Sequence, residues 1–228
     1  MASVDSVRLA TGQIFDITDF GHYPLWSTFA GIMAGMPSEG VWAFNYTTGQ
    51  TIPGTNRRAN ELDTNLSSAN QGLGYAEEMM VYSVTLELPQ RPGLQDPEEQ
   101  EQPDNLLLHD MQILAERSLF QFYVTRKVYT EGVITRYPFG GGLWAETNIN
   151  NAELVNNGFP VAGAQRPLAL PIHLMSEEPF YALLRFFPDS GTLLNTFQEE
   201  TPGDPESRVE VGYDIRCWLD GIRRRPVA

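Results

Sequence analysis

RVEVGYDIRCWLDGIRRR, residues 208–225, alternates with a period of two. Val209, Val211, Tyr213, Ile215, Cys217 and Leu219 fall on one side, and Arg208, Glu210, Gly212, Asp214, Arg216 and Trp218 on the other. Successive side chains of a strand point to opposite faces, so this segment predicts a strand with one face in a core. Asp220-Gly221 then reads as a turn into Arg223-Arg224-Arg225. The same period recurs at Met80–Leu88, where Met80, Tyr82, Val84, Leu86 and Leu88 form the apolar set.

Outward from these two strands the chain reads as β-structure cut by Gly and Pro. Leu119 to Val124 is an aromatic strand with large side chains on both faces, Glu131-Gly132 a turn, and Val133 to Phe139 the returning strand. In RPLALPIHL, 166–174, Leu168, Leu170, Ile172 and Leu174 share a face, while Pro167 and Pro171 suit an edge strand or a bulge. Pro179 to Phe187 is a further strand. QDPEEQEQPD, 95–104, and TPGDPES, 201–207, are acidic loops. Asp104 can cap one short helix, Asn105 to Arg117, whose Leu107, Met111 and Leu114 share a face. No repeat of 20–50 residues is present, which disfavours a propeller or solenoid. Seven or eight strands with one short helix predict a mainly β fold, an antiparallel β-sandwich over residues 76–228; an immunoglobulin-like arrangement is compatible, but the wide strand spacing and long loops lean towards a jelly-roll-like one.

Residues 1–75 differ. Phe15, Phe20, Tyr23, Trp26, Phe29, Trp42, Phe44 and Tyr46 are interrupted everywhere by Gly, Pro, Thr and Asn. A segment this aromatic needs cover, yet it is too broken for a core of its own. It is expected to be an extended N-terminal arm laid on its own domain or on a neighbouring subunit, with Trp26, Phe29, Trp42 and Phe44 as anchors. The competing expectation is a set of short irregular strands belonging to the sandwich.

Fifteen basic and 29 acidic side chains leave a net charge of −14. Such a chain repels phosphate, so neither nucleic acid nor an anionic membrane is expected as its main partner. No apolar run approaches the roughly 20 residues of a membrane span, and residues 1–11 lack the apolar stretch of a signal peptide. The single cysteine, Cys217, permits no intrachain disulfide and suits folding in a reducing cytoplasm. It falls on the apolar side of its strand, where it reads as a small core residue.

The residues give no reaction. There is no G-x-S-x-G or S-x-x-K nucleophile motif. His22, His109 and His173 lack zinc-ligand spacing, and Gly140-Gly141-Gly142 lacks the Lys-Ser/Thr of a phosphate loop. The neighbouring acids Glu77-Glu78, Glu177-Glu178 and Glu199-Glu200 point to opposite faces of a strand, so none is itself a glycosidase pair. Asn148, Asn150 and Asn151 lack calcium-loop spacing. No catalytic residue, metal or cofactor is expected. Arg223, Arg224 and Arg225, the one basic cluster, suit the acidic loops of adjacent copies.

A series of turn and strand-end motifs runs along the chain: TNLSSANQ, 64–71, before the first strand; YPFGGGLW, 137–144; NNGFP, 156–160; PLALPIHL, 167–174; and DIRCWLDGIRRRPV, 214–227. Over residues 60–227 this resembles the jelly-roll structural proteins of bacterial viruses, which form or decorate icosahedral shells. The resemblance implies a virion component, a major coat or cement subunit made in the host cytoplasm, whose partners are copies of itself and other virion proteins. A carbohydrate- or receptor-binding sandwich module, using loop aromatics such as Trp144, is the alternative.

Overall fold

The computed structural model describes residues 6–8, 14–16, 20–32, 39–66, 72–88, 104–140, 143–147, 153–157, 166–187, 197–199, 208–210 and 212–224. The strands are β1 Ser6–Arg8, β2 Ile14–Asp16, β3 Phe20–His22, β4 Leu25–Ile32, β5 Val41–Ala43, β6 Glu78–Glu87, β7 Ser118–Val124, β8 Lys127–Val133, β9 Leu143–Thr147, β10 Glu153–Asn157, β11 Pro167–Leu174, β12 Phe180–Phe186, β13 Phe197–Glu199, β14 Arg208–Glu210 and β15 Tyr213–Arg224. The helix α1, Asp104–Arg117, precedes β7 directly.

Two antiparallel sheets face each other. The first runs β11-β6-β15, with β4 and β3 both paired to the far side of β15; the second runs β5-β12-β7-β8. Counting β4, β5, β6, β7, β8, β11, β12 and β15 as one to eight, the sheets read 6-3-8-1 and 2-7-4-5. This interleaving of two Greek keys is the jelly roll. The inner faces meet in one core that includes Phe29, Phe44, Phe120, Phe122, Phe180, Ile215, Cys217 and Leu219, with Met111 and Leu114 of α1 packed into it. The rings interlock edge to face, Phe29 on Phe120 at 6.2 Å and Phe44 on Phe122 at 6.4 Å, as ring quadrupoles favour.

The main correction concerns residues 1–75. Their described part from Phe20 onward belongs to the sandwich: β3 and β4 extend the first sheet and β5 begins the second. Phe29 and Phe44 are core residues, not arm anchors. The pattern was hard to read because Ser27 faces inward beside Leu25 and Phe29, its hydroxyl accepting from the Phe44 N–H at 2.9 Å. The outward side of β4 is also apolar in part. Residues 44–66 fold over it and enclose a second small core of Ala30, Tyr46, Ile52 and Ala59. Arg57 fastens this lobe, reaching Asp63 at 2.6 Å and Asp214 of β15 at 2.7 Å. The strands completing this region lie far along the chain; Gly31 donates to Asp214 across 183 residues.

Smaller corrections come from β-bulges in β6 and β11 and from the position of one hairpin turn. In β6 the inward residues are Met79 and Val81, then Val84 and Leu86, because Tyr82 is an extra residue where Asp220 pairs Ser83 and Gly221 pairs Val81. Inserting one residue moves every later side chain to the other face. Gly221 marks this bulge and is not a turn: a Cβ there would collide with the Met80 carbonyl oxygen, and β15 runs straight on to Arg224. In β11 the register also shifts, so Ile172 and Leu174 are buried while Leu170 is 81% exposed. The hairpin joining β7 to β8 turns at Thr125–Arg126, not Glu131-Gly132. Gly132 lies within β8, one residue from its end and opposite Phe120, where a Cβ would come within 2.9 Å of the Arg136 side chain.

Candidate assembly surface

The aromatic strand β7 makes the surface because it is large on both sides. Its even residues Phe120, Phe122 and Val124 enter the core, and Leu119, Gln121 and Tyr123 project outward. Pairing with β12, β5 and β8 arranges the outward residues in rows. One row is Trp42, Leu183, Gln121 and Glu131; a second is Tyr181, Tyr123 and Val128; a third is Arg185, Leu119 and Val133. Antiparallel sheets ordinarily present polar side chains on a solvent face. Here apolar or aromatic residues hold seven of these ten positions, although Leu183 is itself covered, with Gly40 close against it.

The rings on this face support one another. Tyr123 and Tyr181 stack at 4.9 Å with planes 20° apart, and Trp42 meets Tyr181 edge-on at 5.1 Å. The stacking distance equals the strand spacing, so the tyrosines turn their faces to each other and their edges to solvent. The Tyr123 hydroxyl donates to Gln121 Oε1 at 3.0 Å, and Gln121 Nε2 donates to Glu131 Oε2 at 3.0 Å. The Arg185 side chain, half-buried at the other side, makes no hydrogen bond or ion pair with any described residue, and its Nε is shut off from solvent.

The first sheet carries a different outer face. Trp26 packs on Trp218 at 5.3 Å, and Phe139 stacks on the same indole at 6.0 Å. Arg216 lies over Trp218 and pairs with Glu87 at 3.1 Å; the Trp218 Nε1–H donates to the same carboxylate at 2.9 Å. Further along, His173, Met80, Ile222 and His22 form a row, and Glu78 binds both His173 at 3.2 Å and Arg224 at 3.3 Å.

The residues expected at an interface therefore separate. Trp26 and Trp42 lie on the outer faces of opposite sheets, while Phe29 and Phe44 are enclosed. The arginine cluster also divides, since β15 keeps alternating through it. Arg223 points inward, 0% exposed, and pairs with Glu77, which also accepts the Gly74 N–H. Arg224 points outward to Glu78, and Arg225 lies outside the described residues. Tyr123, Tyr181 and Arg185 were not singled out from the sequence. The available signal was large side chains at both parities of β7 and β12.

Chemically reactive arrangements do not emerge among the described residues. No group of three or more His, Cys, Asp and Glu side chains comes together as a metal site. Cys217 is fully enclosed, and burial pushes its thiol well above the ordinary range, the nearby Asp220 charge adding to the shift. A thiol held in that form is a poor nucleophile. The His109 side chain, Gly141, Gly142, Asn148, Asn150 and Asn151, and the loops 95–103 and 201–207 lie outside the described residues, as does the Trp144 side chain. No described helix is long and apolar enough to cross a membrane. Comparison with protein-family models, curated proteins and solved structures found no match.

Proposed function

We propose that this chain is a virion structural protein of a bacteriophage, a coat or cement subunit. It works by packing against copies of itself and other virion proteins, with no catalytic side chain, metal or cofactor. The observation that carries the reading is the outward face of the β5-β12-β7-β8 sheet. An apolar face of this kind on a soluble domain marks a contact surface, and ring edges packed side by side suit a protein partner better than a flat sugar. The motif order resembling bacterial-virus structural proteins supplies the virion part of the reading. Jelly rolls also occur in lectins and cupins, so the fold alone does not choose a function.

Sedimentation velocity across a wide concentration range, together with fractionation of purified phage particles, tests this. Concentration-dependent oligomers and the chain in the particle fraction are expected. A chain that stays monomeric and is absent from particles overturns the proposal. If that monomer binds an immobilised glycan array through Trp42 and Tyr181, the sugar-binding alternative replaces it.

A further inference from the structure

We infer that the outward face of the β5-β12-β7-β8 sheet packs against the same face of a second copy, around a two-fold axis running along β7, with Arg185 of each copy meeting Glu131 of the other. This deepens the assembly reading and rests on it.

Charge selects a second copy. The chain carries −14 overall, so most approaches of two copies set like charges together. The three rows of this face hold one cation, Arg185, and one anion, Glu131. Two copies can meet here without net repulsion, and the face is self-complementary, as a two-fold interface requires. Arg185 provides the second argument. Its Nε is shut off from solvent but its terminal nitrogens are not among the enclosed atoms, so the guanidinium is free to take a charge-assisted pair with a carboxylate arriving from outside. Glu39, next to the Gly40 against which the Arg185 stem packs, makes no ion pair with it. An axis along β7 lays β12 of one copy over β8 of the other. Arg185 then faces the row of Val133, one row from Glu131, within reach of its long side chain.

Size sets the strength. Three seven-residue strands about 4.8 Å apart at about 3.4 Å per residue span roughly 14 by 24 Å, and the three residues of β5 bring the face to about 390 Å² per copy. Two such faces bury on the order of 800 Å², below the ~1,200 Å² at which stable pairs begin. The isolated dimer is therefore weak and reversible, and in a closed shell many such contacts add by multivalency.

A charge-reversal cycle on the full chain tests the geometry, read by sedimentation equilibrium. Glu131→Arg and Arg185→Glu should each weaken dimerisation roughly tenfold or more, and the double variant should recover most of it. Both positions are solvent-accessible, and thermal melts confirm folding. Gln121→Cys adds a trapping measurement. Because Cys217 is enclosed, the new thiol near the axis is the reactive one, and mild oxidation should give a disulfide dimer that Leu170→Cys, on the opposite sheet, does not. Self-association that both reversals leave unchanged overturns this interface and leaves the assembly reading standing. A double variant as weak as the singles overturns the Arg185–Glu131 pairing. A free chain that is monomeric yet present in particles overturns the two-fold dimer alone.

Discussion

Phe29→Ala separates a core strand from an assembly arm. Phe29 is fully enclosed, pairs with Ile215 across β4 and β15, and meets Phe120 edge-on. Burying such a side chain stabilises by about 1.5–3 kcal/mol. The lost ring leaves up to roughly 80–100 Å³ of cavity, which at ~24 cal/mol per Å³ adds about 2 kcal/mol. The two together agree with the ~3–5 kcal/mol typical of Phe→Ala in cores. In a domain of this size each kcal/mol moves Tm by about 2–4 °C, so Tm should fall by roughly 6–20 °C. Thermal melts by circular dichroism and urea titrations of the free, dilute chain give the measurement. A Phe29/Phe120 double-mutant cycle should also return a coupling of about 0.5–1.5 kcal/mol for the ring contact. A variant melting within about 3 °C of the parent, and failing only in assembly, would refute the core placement and restore the arm.

Glu77→Ala removes a carboxylate that pairs with the buried Arg223 guanidinium and should cost about 3–5 kcal/mol; urea midpoints check this, and a loss below about 1 kcal/mol would show that Arg223 does not depend on Glu77. Asp220 has its carboxyl raised from 3.8 by burial, which outweighs the nearby His22. The folded chain then holds this proton longer than the unfolded one, so the contribution is full below pH ~3.8 and is lost as pH rises through the folded value. Asp220→Asn should flatten that descent, and an unchanged slope of stability against pH just above 3.8 would contradict it. Cys217 should react with a thiol reagent only as fast as the chain opens, so the labelling rate should rise with urea in step with unfolding; rapid labelling of the native chain would place the thiol elsewhere.

Several features were legible because they depend on neighbours along the chain. The alternation in 213–219 located β15 and put Ile215, Cys217 and Leu219 in the core. Asp104 and the apolar spacing after it marked the helix, and Gly/Pro-cut strands without a repeat led to a jelly-roll sandwich. The candidate surface was legible only in part. Trp42 was singled out, but as part of an arm, and its companions Tyr181, Tyr123 and Arg185 come from strands remote in sequence.

By itself, then, the sequence determined that strands form, that their faces differ and that a core is possible, because backbone propensity and side-chain alternation are local. Only the tertiary structure decided the rest. It brought β4 beside β15 and β5 beside β12, which took Phe29 and Phe44 out of the supposed arm and into the core. It placed bulges at Tyr82 and between Pro167 and Ile172, each of which reverses which face is inside. It carried β15 past Gly221, so that Arg223 turned inward and Arg224 outward. Strand pairing is a contact between distant segments, and a one-residue slip in it costs nothing locally while exchanging core for surface.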